Sequence, residues 1–307
     1  MKLGTVQIDG VDTVVVALDD DHAAVVDGGR VPADVGAVLA RWPADADRLE
    51  AARSGSPAAP VETLTWRPPV VRPGKVVCVA LNNSANRQRI ISGPDHPATF
   101  LKPASSLVGH LQPIRLRKDF GRVHPEPELA VVVGRGGTDI EPESALDHVF
   151  GYTIFNDLTA PTLRSEDTFH YRAIHPGATE GDVSYVDTWV SYPGRYKGAD
   201  TFGPIGPWIV TRDEVPDPHR LTVRCVHQGR LVTEDSTANL RHSVPDVLSF
   251  VSRWMTLEPG DIVAMGTALS PAAGGSAVQN VDLTRLGGPV EVEISGIGVL
   301  RNEVEYR

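Results

Sequence analysis

The stretch HPEPELAVVVG, residues 124–134, joins two carboxylates to an apolar run and decides the fold prediction. A run rich in Val and bounded by Gly134 is typical of a strand. Because successive side chains of an extended chain point to opposite faces, Glu126 and Glu128 project to one side, about 6–7 Å apart. Burying two such carboxylates is costly, and a hard cation such as Mg²⁺ or Mn²⁺ would relieve that cost. The alternative is a solvated strand edge with two surface glutamates.

A further acidic position ends a second apolar run, FGYTIFNDLTA, residues 150–160. Asn156 and Asp157 stand where the backbone is expected to leave the sheet, and strand ends are favoured places for ligands and chemistry. An aspartate at such a place also commonly caps the following turn. Taken alone, Asp157 is compatible with either use.

Three stretches ordered by Gly and Pro present other polar side chains. Lys197 lies in YKGADTFGPIGPW, and Lys102 lies in FLKPASSLVGH. The strand in GDIVAMGTALSP ends at Gly266 and Thr267, whose backbone and hydroxyl can approach a ligand closely. Taken singly, each lysine is better explained as a solvated surface cation.

The chain from Lys75 onward has mostly the character of strands. Val and Ile dominate runs that are bounded by Gly, Pro, Asn or Asp. The predicted strands are Lys75–Leu81, Glu128–Gly134, Val149–Phe155, Pro207–Thr211, Leu221–Gln228, Asp261–Met265 and Pro289–Ile294. One helix is predicted in this half, Ser243–Trp254, with Ser243 as its N-cap. Many strands with few helices indicate a β-rich α+β fold rather than an alternating doubly wound sheet.

Residues 1–68 are predicted to form a small N-terminal domain, and residues 69–307 a second domain. The segments GTVQI, TVVVAL and AAVVD indicate short strands, and a helix-like stretch runs from Val35 to about Ala52. SGSPAAP, residues 54–60, predicts a linker, because its small residues and prolines supply little to bury.

Composition excludes several classes of function. The chain has 307 residues and a net charge of -10, which argues against general nucleic-acid binding because that binding needs a basic face. No apolar run approaches the roughly 18 residues of a membrane span, so no membrane partner is expected. Cys78 and Cys225 lie in apolar runs and predict buried thiols in a reducing compartment. MKLGTVQIDG lacks a signal-peptide pattern, so the cytoplasm is the expected location.

Taken in order, the motifs between about residues 75 and 305 resemble the fumarylacetoacetate hydrolase (FAH) superfamily. They are KVVCVALN, FLKPASSLVG, EPELAVVVG, GYTIFNDLTA, DTFGPIGPWIVT, LSFVSRWMTLEPGDIVAMGT and VEVEISGIGVLRNEV. The resemblance implies a mixed β-roll catalytic domain after a small N-terminal domain and, commonly, a homodimer. It also implies that Mg²⁺ or Mn²⁺ is held by Glu126, Glu128 and Asp157. Lys197 would lie near the oxygens of the substrate.

The sequence departs from this family in the segment that would cover the site. Many hydrolytic members carry a His there and a Glu three residues later, and this pair activates water. Asn86 and Arg89 occupy those positions in ALNNSANRQRI, and neither is a useful general base near pH 7. Pro161 and Thr162 replace a charged pair that usually follows the third ligand, and a long divergent segment then extends to about Tyr196.

Several histidines are candidates for a replacement base. His124 lies two residues before Glu126 and can share its face, whereas His170 and His175 lie in the divergent segment. His110 is a fourth candidate. For each histidine the alternative is a surface or structural role. The candidate substrate contacts are Lys102, Asn86, Arg89 and Thr267.

The resemblance implies an enzyme acting on a small 2-oxo or 2,4-dioxo acid, which is bound through its carboxylate and keto oxygens. Family members cleave a C–C bond by hydrolysis, decarboxylate, tautomerise or hydrate. Chemistry that needs only a stabilised enolate is easier to reconcile with Asn86 and Arg89 than hydrolysis, which needs a base. The alternative is a binding protein that keeps the metal and a ligand pocket but has lost turnover.

Overall fold

The computed structural model describes residues 1–26, 34–86 and 89–307. Its helices are α1 Val35–Leu39, α2 Ala46–Gly55, α3 Pro161–Glu166, α4 Arg195–Gly198, α5 Val244–Ser252 and α6 Leu283–Leu286. Its strands are β1 Lys2–Ile8, β2 Val11–Ala17, β3 His22–Val25, β4 Ala58–Pro60, β5 Thr65–Trp66, β6 Val76–Ala80, β7 Ala98–Lys102, β8 Leu107–Val108, β9 Ile114–Leu116, β10 Pro127–Val133, β11 Val149–Asn156, β12 Thr168–Pro176, β13 Val183–Ser191, β14 Gly203–Pro204, β15 Ile209–Thr211, β16 Thr222–His227, β17 Arg230–Ser236, β18 Ile262–Ala264, β19 Val290–Ile294, β20 Gly298–Asn302 and β21 Val304–Tyr306. The predicted β-rich α+β class is confirmed.

A large mixed sheet forms the centre of the molecule. Its strand order is β4-β3-β2-β1-β15-β11-β10-β18-β6-β7, and β5 also pairs with β1. Within this sheet, β18 and β6 pair in parallel, and all the other strand pairs are antiparallel. A second sheet, β17-β16-β19-β20, and the helix α5 contribute to the same hydrophobic core as the central strands.

The strand β10 lies inside the central sheet, between β11 and β18, and is buried along its whole length. Leu129 and Val131 belong to the core cluster that includes α5, whereas Ala130 packs into a separate buried cluster on the other face. Burial on both faces explains why this strand is a continuous apolar run instead of an alternating one. The rigid strand positions the carboxylates at its start.

The seven strands predicted from Lys75 onward coincide with observed strands to within two residues at each end. The predicted helix is α5. Ser243 caps it through a capping box, in which its side chain accepts from the N–H of Asp246 and the Asp246 side chain accepts from the N–H of Ser243. Cys78 and Cys225 are free, fully buried thiols, as predicted.

The N-terminal segment differs from its prediction in two places. The helix-like stretch is two helices, α1 and α2, with Pro43 between them, because proline lacks the N–H that a continuous helix would need. The predicted linker 54–60 is also wrong in part. Helix α2 continues to Gly55, and β4 pairs with β3 at the edge of the sheet, where Pro60 is tolerated. The last residue of AAVVD, Asp27, lies outside the described residues.

The sheet is continuous across the domain boundary predicted at residue 68. Strand β1 pairs with β15 through Lys2↔Val210 and Leu3↔Ile209. The N-terminal strands therefore extend the same sheet that carries β10 and β11. Among the described helices, none is long and apolar enough to cross a membrane.

The divergent segment contains a long hairpin that the sequence did not predict. Strands β12 and β13 pair antiparallel over nine residues each, from Thr168↔Ser191 to Pro176↔Val183. Large apolar side chains on the hairpin are exposed, among them Phe169, Ile174 and Trp189. Short alternating apolar runs with many polar neighbours give a weak strand signal, which is why the sequence pattern left this segment unassigned.

Candidate metal centre

The pairing of β10 with β11 brings three carboxylates together. Glu126 directly precedes β10, Glu128 is its second residue, and Asp157 directly follows β11. The N–H of Asp157 donates to the carbonyl of Glu126 at 2.9 Å, and the N–H of Glu126 donates to Oδ1 of Asn156 at 2.9 Å. One oxygen from each carboxylate lies within 4.8 Å of the others. Antiparallel pairing explains this, since it sets the start of one strand beside the end of the next.

Glu128 carries its charge in an unfavourable environment. Its side chain is buried, and its pKa is raised well above the usual range by burial and by repulsion from Asp157 and Glu126. The N–H of Gly266 donates to its Oε2 at 2.8 Å, and the hydroxyl of Thr267 lies 3.2 Å from its Oε1. The protein therefore holds this carboxylate in place although its charge is unfavourable there.

Gly266 allows the backbone to approach Glu128. Its φ of +99° is in the region that favours glycine, and a Cβ there would lie 2.8 Å from the Cβ of Asn82. The neighbouring hydroxyl of Thr267 also lies 3.2 Å from Oε2 of Glu126. Thr267, predicted as a substrate contact, thus orients two carboxylates and also lines the adjoining cavity.

Lys197 bridges two of the carboxylates. Its ammonium lies 2.5 Å from Oδ2 of Asp157 and 2.8 Å from Oε2 of Glu126, and its side chain is 9% exposed. Burial works to lower the pKa of Lys197, but Asp157 and Glu126 outweigh it and hold that pKa above the usual range. For the carboxyl group of Glu126, burial acts to raise the pKa. The charge of Lys197 and the hydrogen bond from His124 outweigh burial, so the pKa of Glu126 is lowered. The surface-cation alternative for Lys197 is wrong.

Lys102 is also buried and directed at the same cluster. Its ammonium is fully inaccessible to solvent and donates to Oδ1 of Asp157 and, at 3.3 Å, to the carbonyl of Leu158. Lys102 does not line the cavity beside the carboxylates. Its observed partner is Asp157, which makes it a residue that orients and neutralises that carboxylate.

The donor set suits a hard divalent cation. Glu126, Glu128 and Asp157 supply only oxygen atoms, which are the ligands that Mg²⁺ and Mn²⁺ prefer. The two ammonium groups of Lys102 and Lys197 act on Asp157 and Glu126, while Glu128 makes no ion pair within the described residues. Three converging carboxylates against two ammonium groups leave an excess of acidic groups, and a bound cation would offset their repulsion.

A cavity of about 420 Å³ opens beside the carboxylate cluster. Its lining includes the buried residues Asp157, Lys197 and Asn86 and the partly buried Glu126. Arg89 lines it from an exposed position. Two predicted substrate contacts, Asn86 and Arg89, therefore border the same cavity as the proposed ligands.

The four candidate histidines lie in different environments. Nε2 of His124 lies 3.1 Å from Oε1 of Glu126, and its buried Nδ1 has no hydrogen-bond partner among the described atoms. His110 accepts a hydrogen bond at Nδ1 from the N–H of Arg301 at 3.0 Å. His170 and His175 are exposed on β12 and are not among the residues that line the cavity. Only His124 contacts the carboxylate cluster directly.

Several cavity residues were not predicted from the sequence. Phe100 lies below Lys197, whose ammonium is 5.0 Å from the centroid of the ring. Arg164, Tyr196 and Gln279 also line the cavity. Arg164 follows the motif GYTIFNDLTA and lies in the divergent segment. The sequence indicated it only as a single basic residue a short distance after Asp157.

Known proteins resemble this chain in sequence and in structure. The sequence model of the fumarylacetoacetate (FAA) hydrolase C-terminal domain matches residues 75–305. The mitochondrial oxaloacetate tautomerase FAHD2B of Bos taurus is 34% identical over 253 residues, which cover 81% of this chain and 72% of that protein. The fumarylacetoacetate hydrolase of Exiguobacterium antarcticum has a similar structure, with 31% identity, a TM-score of 0.79 and full coverage of both chains.

A metal-bound neighbour also aligns along the whole chain. The maleylpyruvate hydrolase of Sphingobium sp. SYK-6, solved with manganese(II) and pyruvate, has 25% identity and a TM-score of 0.74. The alignment covers 100% of this chain and 99% of that one. The family match, the relatives and the carboxylate cluster indicate a metal-dependent enzyme of small acids. The chain belongs to the fumarylacetoacetate hydrolase family.

Proposed function

We propose that this protein catalyses the keto–enol tautomerisation of a small 2-oxo acid, with Mg²⁺ or Mn²⁺ held by Glu126, Glu128 and Asp157. The observation that carries the proposal is the convergence of these three carboxylates beside Lys197, next to a cavity that Asn86 and Arg89 also line. When bound, the cation supplies Lewis-acid stabilisation to the developing enolate oxygen.

The side chains of the protein support this chemistry in distinct ways. Lys197 keeps a positive charge at the inner part of the cavity, where negative charge develops on the substrate. Lys102 and Thr267 hold the carboxylates in fixed positions, so little reorganisation is needed during the reaction. Tautomerisation adds no water to the substrate, so no residue has to activate water as a nucleophile. The proton that leaves the enol oxygen and the proton that reaches the carbon can both be exchanged with solvent in the cavity.

Relatives with the name oxaloacetate tautomerase make oxaloacetate the first substrate to test. The metal-free protein should be loaded with Mn²⁺, and the conversion of enol to keto oxaloacetate followed by the loss of enol absorbance. We expect conversion well above the rate with Mn²⁺ alone. If metal-loaded protein binds the acid but does not accelerate the exchange, the proposal is wrong and a binding role is favoured. Release of CO₂ matched to substrate loss would favour decarboxylation.

We also propose that the protein works as a homodimer in which the β12–β13 hairpin packs against a second copy. Ile174, Trp189 and Tyr185 are 69%, 70% and 60% exposed in the single chain. An isolated two-stranded hairpin is only marginally stable in water, so a covering surface would stabilise it. A cluster of exposed aromatic side chains is also typical of a protein interface.

A further inference from the structure

We infer that Asp235 is a positioning residue that ties the loop of residues 266–270 to the turn of residues 83–86. The 266–270 loop orients two of the proposed metal ligands, and the 83–86 turn contributes Asn86 to the cavity. The inference rests on the proposed function, because it concerns how the same site is held in place. Asp235 belongs to β17, is 6% exposed and is not among the residues that line the cavity. Any effect of Asp235 on the site therefore passes through other residues.

The carboxylate of Asp235 is surrounded by hydrogen-bond donors. It accepts five hydrogen bonds, whose donors are the backbone N–H groups of Ser236, Leu269 and Ser270 and the side-chain amides of Asn83 and Asn239. Burial acts to raise the pKa of Asp235, but the hydrogen bonds from Asn239 and from the backbone outweigh burial, so the pKa is lowered. Asp235 is thus an ionised acceptor, and hydrogen bonds to a charged acceptor are the stronger kind.

The two oxygens of Asp235 serve different parts of the structure. Oδ1 accepts from the side-chain amide of Asn239 at 2.7 Å, close by in the same chain segment. Oδ2 accepts from the N–H groups of Leu269 at 2.8 Å and Ser270 at 3.0 Å, and from the side-chain amide of Asn83 at 3.0 Å. One oxygen therefore binds the local segment, and the other joins two segments that are distant in the sequence.

The 266–270 loop connects Asp235 with the carboxylate cluster. The N–H of its first residue donates to Oε2 of Glu128 at 2.8 Å, and the hydroxyl of Thr267 lies 3.2 Å from an oxygen of Glu128 and of Glu126. Its last two residues donate their N–H groups to Asp235. Loss of Asp235 would release that end of the loop and leave two N–H donors without their acceptor. The hydroxyl of Thr267 would then be held less firmly against the proposed ligands.

The 83–86 turn is anchored through Asn83. Besides its bond to Asp235, the side-chain amide of Asn83 donates to the carbonyl of Thr267 at 3.3 Å. The carbonyl of Asn83 accepts from the N–H of Asn86 at 2.8 Å, and Asn86 lines the cavity. Asp235 is therefore connected to the lining of the cavity through Asn83 alone on this side, and to the proposed metal ligands through Thr267 on the other.

Three alanine variants separate these connections. Asp235→Ala removes both of them, Asn83→Ala removes the connection to the turn, and Asn239→Ala removes a hydrogen bond from Oδ1, on the side away from the site. Calorimetry should measure the dissociation constant of Mn²⁺ and, on the Mn²⁺-saturated protein, that of oxaloacetate. Urea unfolding checks that each variant is folded.

In Asp235→Ala we expect both dissociation constants to rise by about 10-fold, the lower end of the usual loss when a residue that supports metal ligands is changed. Asn83→Ala should weaken the binding of oxaloacetate more than that of Mn²⁺. With saturating Mn²⁺, KM should rise in both variants while kcat changes by about twofold or less, because the lost interactions hold substrate and transition state alike. A residue that only stabilises the fold would not produce this division between KM and kcat.

Asp235→Asn tests rescue by a residue of the same shape. Its side-chain oxygen can still accept from Leu269 and Ser270, and its amide nitrogen can face Asn239, whose own amide can reverse to accept from it. We expect this variant to bind Mn²⁺ much more tightly than Asp235→Ala does. Asn239→Ala is the matched control, because it removes one hydrogen bond from the same carboxylate. It should leave both dissociation constants unchanged.

Unchanged binding of Mn²⁺ and oxaloacetate by a folded Asp235→Ala protein would overturn the inference. Equal losses of oxaloacetate affinity in Asn83→Ala and Asn239→Ala would overturn it as well, since the carboxylate would then act only on stability. If Asp235→Ala does not fold, the comparison of these two asparagine variants decides. Both dissociation constants are measured without turnover. The tautomerase proposal therefore fails separately, only if metal-loaded wild type does not accelerate enol–keto exchange.

Discussion

The ammonium of Lys197 lies 2.5 Å from the carboxylate of Asp157, and both side chains are almost completely buried. Two oppositely charged groups in such a place depend on each other, because removing one leaves the other unpaired in a poorly solvated site. Lys197 thus stabilises the carboxylate cluster as well as facing the cavity. Its contributions to stability and to turnover can be separated by adding metal.

We predict that Lys197→Met lowers kcat/KM by about 2–4 kcal/mol of transition-state stabilisation, as for the loss of one oxyanion donor. Without metal, the free energy of unfolding should also fall, by about 3–5 kcal/mol, because Glu126 and Asp157 lose a buried partner. Saturating Mn²⁺ should recover much of that stability, since it supplies positive charge at the same carboxylates. Steady-state kinetics measures the effect on kcat/KM, and urea unfolding with and without Mn²⁺ measures the effect on stability.

An unchanged kcat/KM in the Mn²⁺-saturated variant would remove Lys197 from the reaction and leave it a structural role. Lys2→Met is a suitable control, because Lys2 is a partly exposed lysine of β1 with a long contact of 3.8 Å to Asp20. It should change neither quantity appreciably.

Glu128→Gln should abolish tight metal binding without unfolding the protein. Gln retains an oxygen that can accept from the N–H of Gly266, and it removes the charge that Asp157 and Glu126 repel. The metal-free variant should therefore be at least as stable as wild type. Its affinity for Mn²⁺ should fall by about 100-fold or more, which exceeds the usual loss of affinity when a residue that hydrogen-bonds to a metal ligand is changed. Calorimetric titration with Mn²⁺ tests the affinity.

The exposed Glu143 provides the matched control for this substitution. Glu143→Gln should bind Mn²⁺ as wild type does. Equal Mn²⁺ affinities in the two variants would contradict the proposed ligand set, since a ligand and a surface glutamate would then be equivalent.

Local pattern was sufficient to predict one part of this site. Glu126 and Glu128 share a face because strand side chains alternate, and this holds wherever the strand lies. The position of Asp157 beside them depends on the register of β11, which the motif order implied but periodicity alone did not. Strand positions were likewise predictable, because Val-rich runs bounded by Gly and Pro are a local signal.

Long-range contacts account for what the sequence did not predict. Lys102 binds Asp157, 55 residues away, so nothing near Lys102 distinguished it from a substrate contact. Arg164 reaches the cavity only because α3 packs against a core formed by distant strands. The continuity of β1 with β15 joins positions more than 200 residues apart, a pairing that no local pattern predicts.

The exposed hairpin gives a prediction about assembly. If β12 and β13 pack against a second copy, Trp189→Ser should shift the protein from dimer to monomer, because it removes the most exposed aromatic side chain of that surface. Leu286→Ser, an exposed apolar position outside the hairpin, should leave the dimer intact. Sedimentation velocity over a range of protein concentrations measures both. A wild-type protein that stays monomeric throughout would rule out the arrangement.

His110 makes the fold sensitive to acid. Burial, with a smaller contribution from Arg301, lowers the pKa of His110 to about 4 from its ordinary value of 6.5. Below pH 6.5 the unfolded chain binds a proton there that the folded chain does not, so stability falls as the pH drops from about 6.5 to about 4. The contribution between pH 7.5 and 4.5 should be on the order of 2 kcal/mol.

His110→Asn tests this contribution, because its side-chain oxygen can still accept from the N–H of Arg301. The variant should lose less free energy of unfolding than wild type over the same pH range, as measured by urea titration. His22→Asn, at an exposed histidine, should not flatten the profile. Identical pH profiles for wild type and His110→Asn would show that this ring does not titrate differently on unfolding.

The last prediction concerns the missing water-activating pair. Hydrolysis of an acylpyruvate needs a group that takes a proton from water, and Asn86 and Arg89 cannot do so near pH 7. We therefore expect the Mn²⁺-loaded protein to release pyruvate from acetylpyruvate much more slowly than it tautomerises oxaloacetate.

The structure ranks the histidines that could replace the missing base, since His124 contacts Glu126 whereas His170 and His175 are exposed on β12. Any residual hydrolysis should fall most in His124→Asn and least in His170→Ala and His175→Ala. Coupled detection of pyruvate measures each variant. Efficient hydrolysis by a protein lacking all three histidines would contradict the argument, because water would then be activated without any of these bases.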